Sequence, residues 1–236
     1  MFSQSANALH SLKSLAFQRI PITLASTYKG LLFDERIDPL KVGPEQVIFS
    51  APRQHVCMTL RDPIYLHSRA LPESIRASLQ ALDTSACEIV LANFRFSGNP
   101  WRDRFEQRVQ PLLPIPAMIT IDQRIVQASL TDLSLHGAGV SINFVNGQKI
   151  DPVVKSSIDI NFQLDIQTRL SMRSTVAYIR KVGSSVLNLG LRLFPTPNQE
   201  ISIGEFIARR KVEIMGELQQ ELRDRMESAR IENKLL

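Results

Sequence analysis

Four stretches in the second half of the chain alternate apolar and polar residues with a period of two. This pattern limits the fold more than any other feature. Met118 and Thr120 oppose Ile119 and Ile121, while Ala138, Val140, Ile142 and Phe144 alternate with small or polar neighbours. Ile158, Ile160, Phe162 and Leu164 repeat the pattern, as do Leu187, Leu189, Leu191 and Leu193 around Asn188, Gly190 and Arg192. Successive side chains of a strand point to opposite faces, so each run buries one face and wets the other. Several such strands in succession predict a closed antiparallel barrel, which leaves no edge exposed.

The first part of the chain gives shorter extended segments. Ile22 to Leu24, Gly30 to Phe33, Gln46 to Phe49 and His55 to Leu60 are bounded by Pro, Gly or Asp-rich turns. Pro72 to Leu82 reads as a short helix with Ile75, Leu79 and Leu82 on one side, and Glu88 to Phe96 returns to a strand. Ser97-Gly-Asn-Pro100 is a turn-rich break. From Ile203 to about Asn233 the period becomes helical, with Phe206, Ile207, Ile214, Leu218, Leu222 and Met226 on one stripe. Glu221 and Arg225 stand at the favourable i,i+4 spacing on that helix. Its first turns are expected to pack on the barrel. The remainder reads as a solvated extension or, alternatively, as a homodimer contact. The expected fold is mainly β, with two small antiparallel β-barrel domains in tandem and a C-terminal α-helix. The divisions fall at residues 1–97, a linker at 98–111, and a barrel with its helix at 112–236.

Composition narrows the function. Of 236 residues, 28 are basic and 23 acidic, a net charge of +5 that is spread along the chain. Duplex DNA binding normally shows a denser basic stripe, so a DNA partner is not expected, whereas a small anionic ligand needs far less charge. Cys57 and Cys87 have no CxxC spacing, and His10, His55, His67 and His136 form no pair at metal spacing. No metal or cofactor is expected. Nucleophile elbows, phosphate-cradling glycine loops and paired catalytic carboxylates are absent, which argues against an enzyme. His136 has no orienting partner in the sequence and reads as a surface turn residue. Residues 1–17 lack a basic segment followed by an apolar run, so no signal peptide is read there. The longest uncharged apolar stretch, Val109 to Ile121, contains Pro111, Pro114 and Pro116 and is far short of a spanning helix. A cytoplasmic location is expected.

The chemistry concentrates in two short motifs, Arg104-Phe-Glu-Gln-Arg108 and Asp132-Leu-Ser134-Leu-His-Gly137. A guanidinium pairs with guanine O6 and N7 at once, attracts phosphate, and stacks on a purine face. A carboxylate at Asp132 accepts from guanine N1 and N2 hydrogens, and the Ser134 hydroxyl donates or accepts. Gly137 either bends the backbone through positive φ or lets a ligand approach where a Cβ would block it. Each half also has a plain reading. The arginines serve equally as solvated linker charges, and Asp132, Ser134 and Gly137 as ordinary turn residues.

Together, RxxxR followed by (D/N)xSxxG resembles the signature of the PilZ domain, whose usual ligand is cyclic di-GMP. All five motif positions match, and the resemblance runs from residue 102 to about 215, with Leu189-Gly-Leu-Arg-Leu-Phe194 similar to a late strand of that family. It implies that Arg104 and Arg108 clasp the nucleotide while Asp132, Ser134 and Gly137 close on its guanine. The placement of the first domain resembles the accessory barrel of flagellar-brake proteins. That implies a receptor that reorients its domains to regulate a protein effector, flagellar or surface-associated. The alternative is a nucleotide-independent scaffold that uses barrel and helix to hold a protein partner. Many PilZ domains carry another basic residue directly before the first arginine, but here that place is Asp103, with Arg102 one earlier. An acid there repels phosphate, so one cyclic di-GMP per site is expected, with Arg102 compensating.

Overall fold

The structure is a computed structural model that describes residues 2–50, 64–83, 86–98, 106–144 and 150–232. Of these, 2–28, 32–98 and 214–232 form one unit, and 29–31 with 106–213 form the other. The first unit opens with helix α1 (Phe2–Phe17) and continues through β1 (Ile22–Tyr28), β2 (Leu31–Ile37), β3 (Pro39–Val42) and β4 (Gln46–Ser50). It is completed by β5 (Ile64–His67), β6 (Ile75–Asp83) and β7 (Glu88–Phe96). These strands make a seven-stranded half-barrel in the order β2-β1-β5-β6-β7-β4-β3. Its hollow is filled from α1. Ala8, Leu12 and Leu15, at i, i+4 and i+7, are buried against Ile22, Leu24, Phe49, Ile75, Leu91 and Phe94.

The stretch expected to be a helix at Pro72–Leu82 is instead strand β6, paired with both β5 and β7. Ile75 and Leu79 fit a four-residue helical step, yet with Ala77 they also fit period two, and all three are buried on one face. Small Ala77 hid that alternation. A register shift between Leu79 and Ala81, where Gln80 is the extra residue, breaks it further along. Pairing on both sides outweighs the helix preference of Ala, Leu and Gln. The expected strand at His55–Leu60 lies outside the described residues.

The second unit contains β8 (Ile115–Ile121), β9 (Arg124–Ser134), β10 (Gly137–Asn143), β11 (Ser157–Gln163), β12 (Arg169–Val182) and β13 (Val186–Leu193). They close into a barrel in the order β10-β13-β12-β11-β8-β9. The alternating sets point inward as expected. Ile119, Val140, Ile160, Leu187, Leu189 and Leu191 are buried, while Met118 is exposed. Burying each such Leu or Ile contributes about 1.5–3 kcal/mol, so the inward row of β13 alone holds register firmly. Ser174 occupies an inward position of β12 and satisfies its hydroxyl on the Ile158 carbonyl at 3.0 Å.

Helix α2 (Pro197–Glu232) starts at a capping box. The Thr196 N–H donates to Gln199 Oε1 at 2.9 Å, and Gln199 Nε2 donates to the Ser171 carbonyl of β12 at 2.8 Å. The helix therefore begins at a fixed point on the barrel. Its buried stripe is Ile203, Phe206, Arg210, Ile214 and Leu218, with the i,i+4 pair Glu221–Arg225 formed on its surface. Among the described residues, no helix is long and apolar enough to cross a membrane.

Candidate functional site

The site is assembled where the segment before β8 meets the β9–β10 corner. Val109 and Leu133 exchange both backbone hydrogen bonds at 3.0 Å, an isolated antiparallel bridge beyond the end of β8. Val109 is fully buried, and two further contacts hold the residue that follows it. The Gln110 N–H donates to the Lys29 carbonyl at 2.9 Å, and Arg210 Nε donates to the Gln110 carbonyl at 2.8 Å. Arg210 is 3% exposed and also reaches Glu213 at 3.0 Å, so its charge is buried with partners. Gly30, at φ +88°, lies against the backbone of residues 108–110, where an added Cβ would come within 3.2 Å.

This anchoring places Arg108 beside Asp132, with Nη1 to Oδ1 at 3.3 Å and both side chains partly exposed. The β9–β10 ladder shifts register between Gly139 and Val140, which pair with Asp132 and Leu130 respectively, so Thr131 is the extra residue. Such a bulge re-aims the following side chain. The Asp132 carboxylate lies across Gly139, and a Cβ there would meet its Oδ2 at 2.0 Å. Ser134 is buried and donates to the Gly137 carbonyl at 3.3 Å. Gly137 is extended and not in the left-handed region, so of its two readings the positive-φ one does not apply. Its lack of a side chain matters for space, since a Cβ would crowd Ser134 Oγ at 2.9 Å and come to 3.7 Å from Arg108 Nη2. The structure thus brings Arg108, Asp132, Ser134 and Gly137 together. Arg102 and Arg104 lie outside the described residues.

Three residues of the site escaped the sequence reading. Glu106, between the motif arginines, accepts the His136 backbone N–H at 2.9 Å on Oε2 and faces His136 Nδ1 at 2.5 Å with Oε1. His136 Nε2 faces Glu200 Oε1 in the first turn of α2 at 3.3 Å. His136 is therefore a turn residue, as expected, but one with two carboxylate partners brought in from distant sequence. Hydrogen bonding to Glu106, helped by Glu200 and opposed by burial, raises the His136 pKa above its ordinary value. For Glu106, burial acts upward, but the His136 N–H, its imidazole and the Ser134 hydroxyl together hold the carboxyl below its usual range. Gly139 is the third, and its signal, a second glycine two places after Gly137, has meaning only once the bulge is known. Among the described residues, no cluster of His, Cys, Asp and Glu could hold a metal.

The chemistry available is recognition, with a guanidinium, a carboxylate and a hydroxyl around one corner. Comparison with known proteins finds that residues 102–209 match the PilZ domain family. The fold is similar to Bacillus subtilis MotI/DgrA, described as an inhibitor of motility, at 11% identity and TM-score 0.41, covering 82% of this chain and 97% of that one. It is similar to Escherichia coli YcgR in complex with c-di-GMP, at 14% identity and TM-score 0.40, covering 96% of each chain. Klebsiella pneumoniae MrkH, also in complex with c-di-GMP, is similar at 10% identity and TM-score 0.48, covering 90% and 96%. A comparison with curated proteins finds no sequence match.

Proposed function

We propose, from the premise that residues 102–209 of this chain are a PilZ domain, that the protein is a receptor for cyclic di-GMP. The observation that carries this is the contact of Arg108 with Asp132, a connector guanidinium beside the acid of the β9–β10 corner. In this reading Arg104 and Arg108, with Arg102, take the guanine O6/N7 edge and the phosphates, and Asp132 takes the guanine N1 and N2 hydrogens. Ser134 supplies a small donor, and Gly137 leaves room for the ligand. Arg108 and Asp132 satisfy one another until the nucleotide supplies each with a new partner. The connector then orders around the ligand and changes the orientation of the two units. The output is contact with a protein effector, in motility or surface behaviour, and no chemical step is involved.

Calorimetry with cyclic di-GMP tests the reading. Arg108→Ala removes charge-assisted hydrogen bonds worth about 1.5–3 kcal/mol, a loss of roughly ten- to hundred-fold in affinity. Equal heats for wild type and variant would remove the motif from the account.

A further inference from the structure

We propose that Glu106 sets the affinity of this site: in the ligand-free protein its carboxylate occupies donors of the Ser134–Gly137 turn that an anionic ligand would otherwise take. The inference rests on the receptor reading above and deepens it. Both oxygens of Glu106 are engaged at the turn, Oε2 on the His136 backbone N–H at 2.9 Å and Oε1 on His136 Nδ1 at 2.5 Å. A carboxylate and a phosphodiester are both anions that only accept, so donors that suit one suit the other.

The turn has little else to offer. The His136 carbonyl is already taken by the Leu193 N–H at 2.9 Å, and the Gly137 carbonyl accepts from Ser134 at 3.3 Å. A hydroxyl has one proton, so Ser134, which donates to Gly137, serves a ligand only by giving up that bond. His136 keeps Glu106 in place, and its other nitrogen leans on Glu200 in the capped first turn of α2.

Two roles for Glu106 predict opposite signs. If it only tethers the connector to the barrel, removing its charge loosens Arg108 and weakens binding. If it stands in for the ligand's anion, removing its charge frees the donors and strengthens binding. We commit to the second. Glu106→Gln keeps shape and one acceptor, and is expected to bind cyclic di-GMP roughly three- to ten-fold more tightly than wild type, the scale of one partly exposed charge contact. His136→Ala, which keeps the backbone N–H but releases the carboxylate, should shift affinity in the same direction by less. Calorimetry is run on wild type, Glu106→Gln, His136→Ala and Arg108→Ala, each first shown by its melting curve to be folded. No heat from any protein overturns the receptor reading itself. Binding by wild type that weakens in Arg108→Ala, with Glu106→Gln no tighter than wild type, overturns only the role given to Glu106. Tighter binding by both Glu106→Gln and His136→Ala supports it.

Discussion

Replacing Gly139 by alanine separates the site from the fold that carries it. An ideal Cβ at this position falls 2.0 Å from Asp132 Oδ2 and 2.7 Å from its Cγ, whereas real Cβ contacts essentially never fall under 3.0 Å. The carboxylate must therefore withdraw by about 1 Å at least, and rotation about χ1 is the easy way out. From a starting separation of 3.3 Å, that motion takes Asp132 beyond direct contact with Arg108. Stability changes little. Gly139 has no positive φ to preserve, and alanine in a strand regains about 0.5–1 kcal/mol relative to glycine. The lost ion pair is partly exposed and contributes about 0–1 kcal/mol. These offset one another, and the melting temperature should move by no more than about 4 °C. Binding should behave differently if, as proposed, Asp132 is the acidic acceptor of the guanine. The loss of a charged hydrogen bond predicts cyclic di-GMP affinity down roughly ten- to hundred-fold. Urea or thermal melts and calorimetry on the same preparation read both quantities. Wild-type affinity in Gly139→Ala would refute the claim that this glycine exists to seat Asp132.

Arg210→Met keeps the volume of the buried stem but leaves the Gln110 carbonyl without its donor at 2.8 Å. Gln110 is exposed, so water can replace the lost donor, and the cost is that of one net hydrogen bond, about 0.5–1.5 kcal/mol, read as a lower urea midpoint with unchanged m-value. Glu213, half-exposed, remains solvated and adds no comparable penalty. The Glu106–His136 contact makes a signed pH prediction. His136, with its folded pKa raised, contributes stability fully below its ordinary 6.5 and loses it as pH rises through the raised value. Glu106, with its folded pKa lowered, contributes above its ordinary 4.5 and loses it as pH falls through the lowered value. The contact is therefore strongest between those two limits. An NMR titration should find the His136 pKa falling toward 6.5 in Glu106→Gln, though not all the way while Glu200 remains. An unchanged His136 titration would show that Glu106 is not its main partner.

The strands that announced themselves are those whose inward residues are large and uninterrupted. β8, β10, β11 and β13 could be read directly because Ile119, Val140, Ile160 and Leu189 mark every second place. β9 and β12 could not, since exposed Ile125 and buried Ser174 reverse the usual code, and Ser174 is tolerated only through its bond to Ile158. α1 buries a narrow face of Ala8, Leu12 and Leu15, which leaves a weak periodic signal among serines. β6 was misread because Ala77 is too small to mark a strand face. In the site, Arg108 and Asp132 stood out because each lies in a short motif whose chemistry suits guanine, whereas their contact with one another was not read. Glu106, His136 and Glu200 did not stand out, since two loop closures bring them together and no local pattern records either. The Asp132 orientation needed the bulge at Thr131, a backbone event invisible to residue type.

The described part of the site is electrically closed on itself. Arg108 has Asp132, and His136 has Glu106 and Glu200. A ligand therefore gains only the difference between its own contacts and those it replaces, and the terms differ in kind. In the proposed receptor, exchanging Asp132 for guanine on Arg108 would trade one pairing for another, because the freed acid would take the guanine N1 and N2 hydrogens. Exchanging Glu106 for phosphate does not balance in this way. The released carboxylate gains nothing from the guanine edge and stays near a dianion. At ~6 Å in water-like surroundings, each such repulsion is about 0.7 kcal/mol. On the proposed reading, the arginine–aspartate pair would account for recognition with little net cost, while the glutamate between the arginines would carry the cost of opening. Changes at Asp132 should accordingly discriminate between ligands, whereas changes at Glu106 should move the affinity of every anionic ligand together.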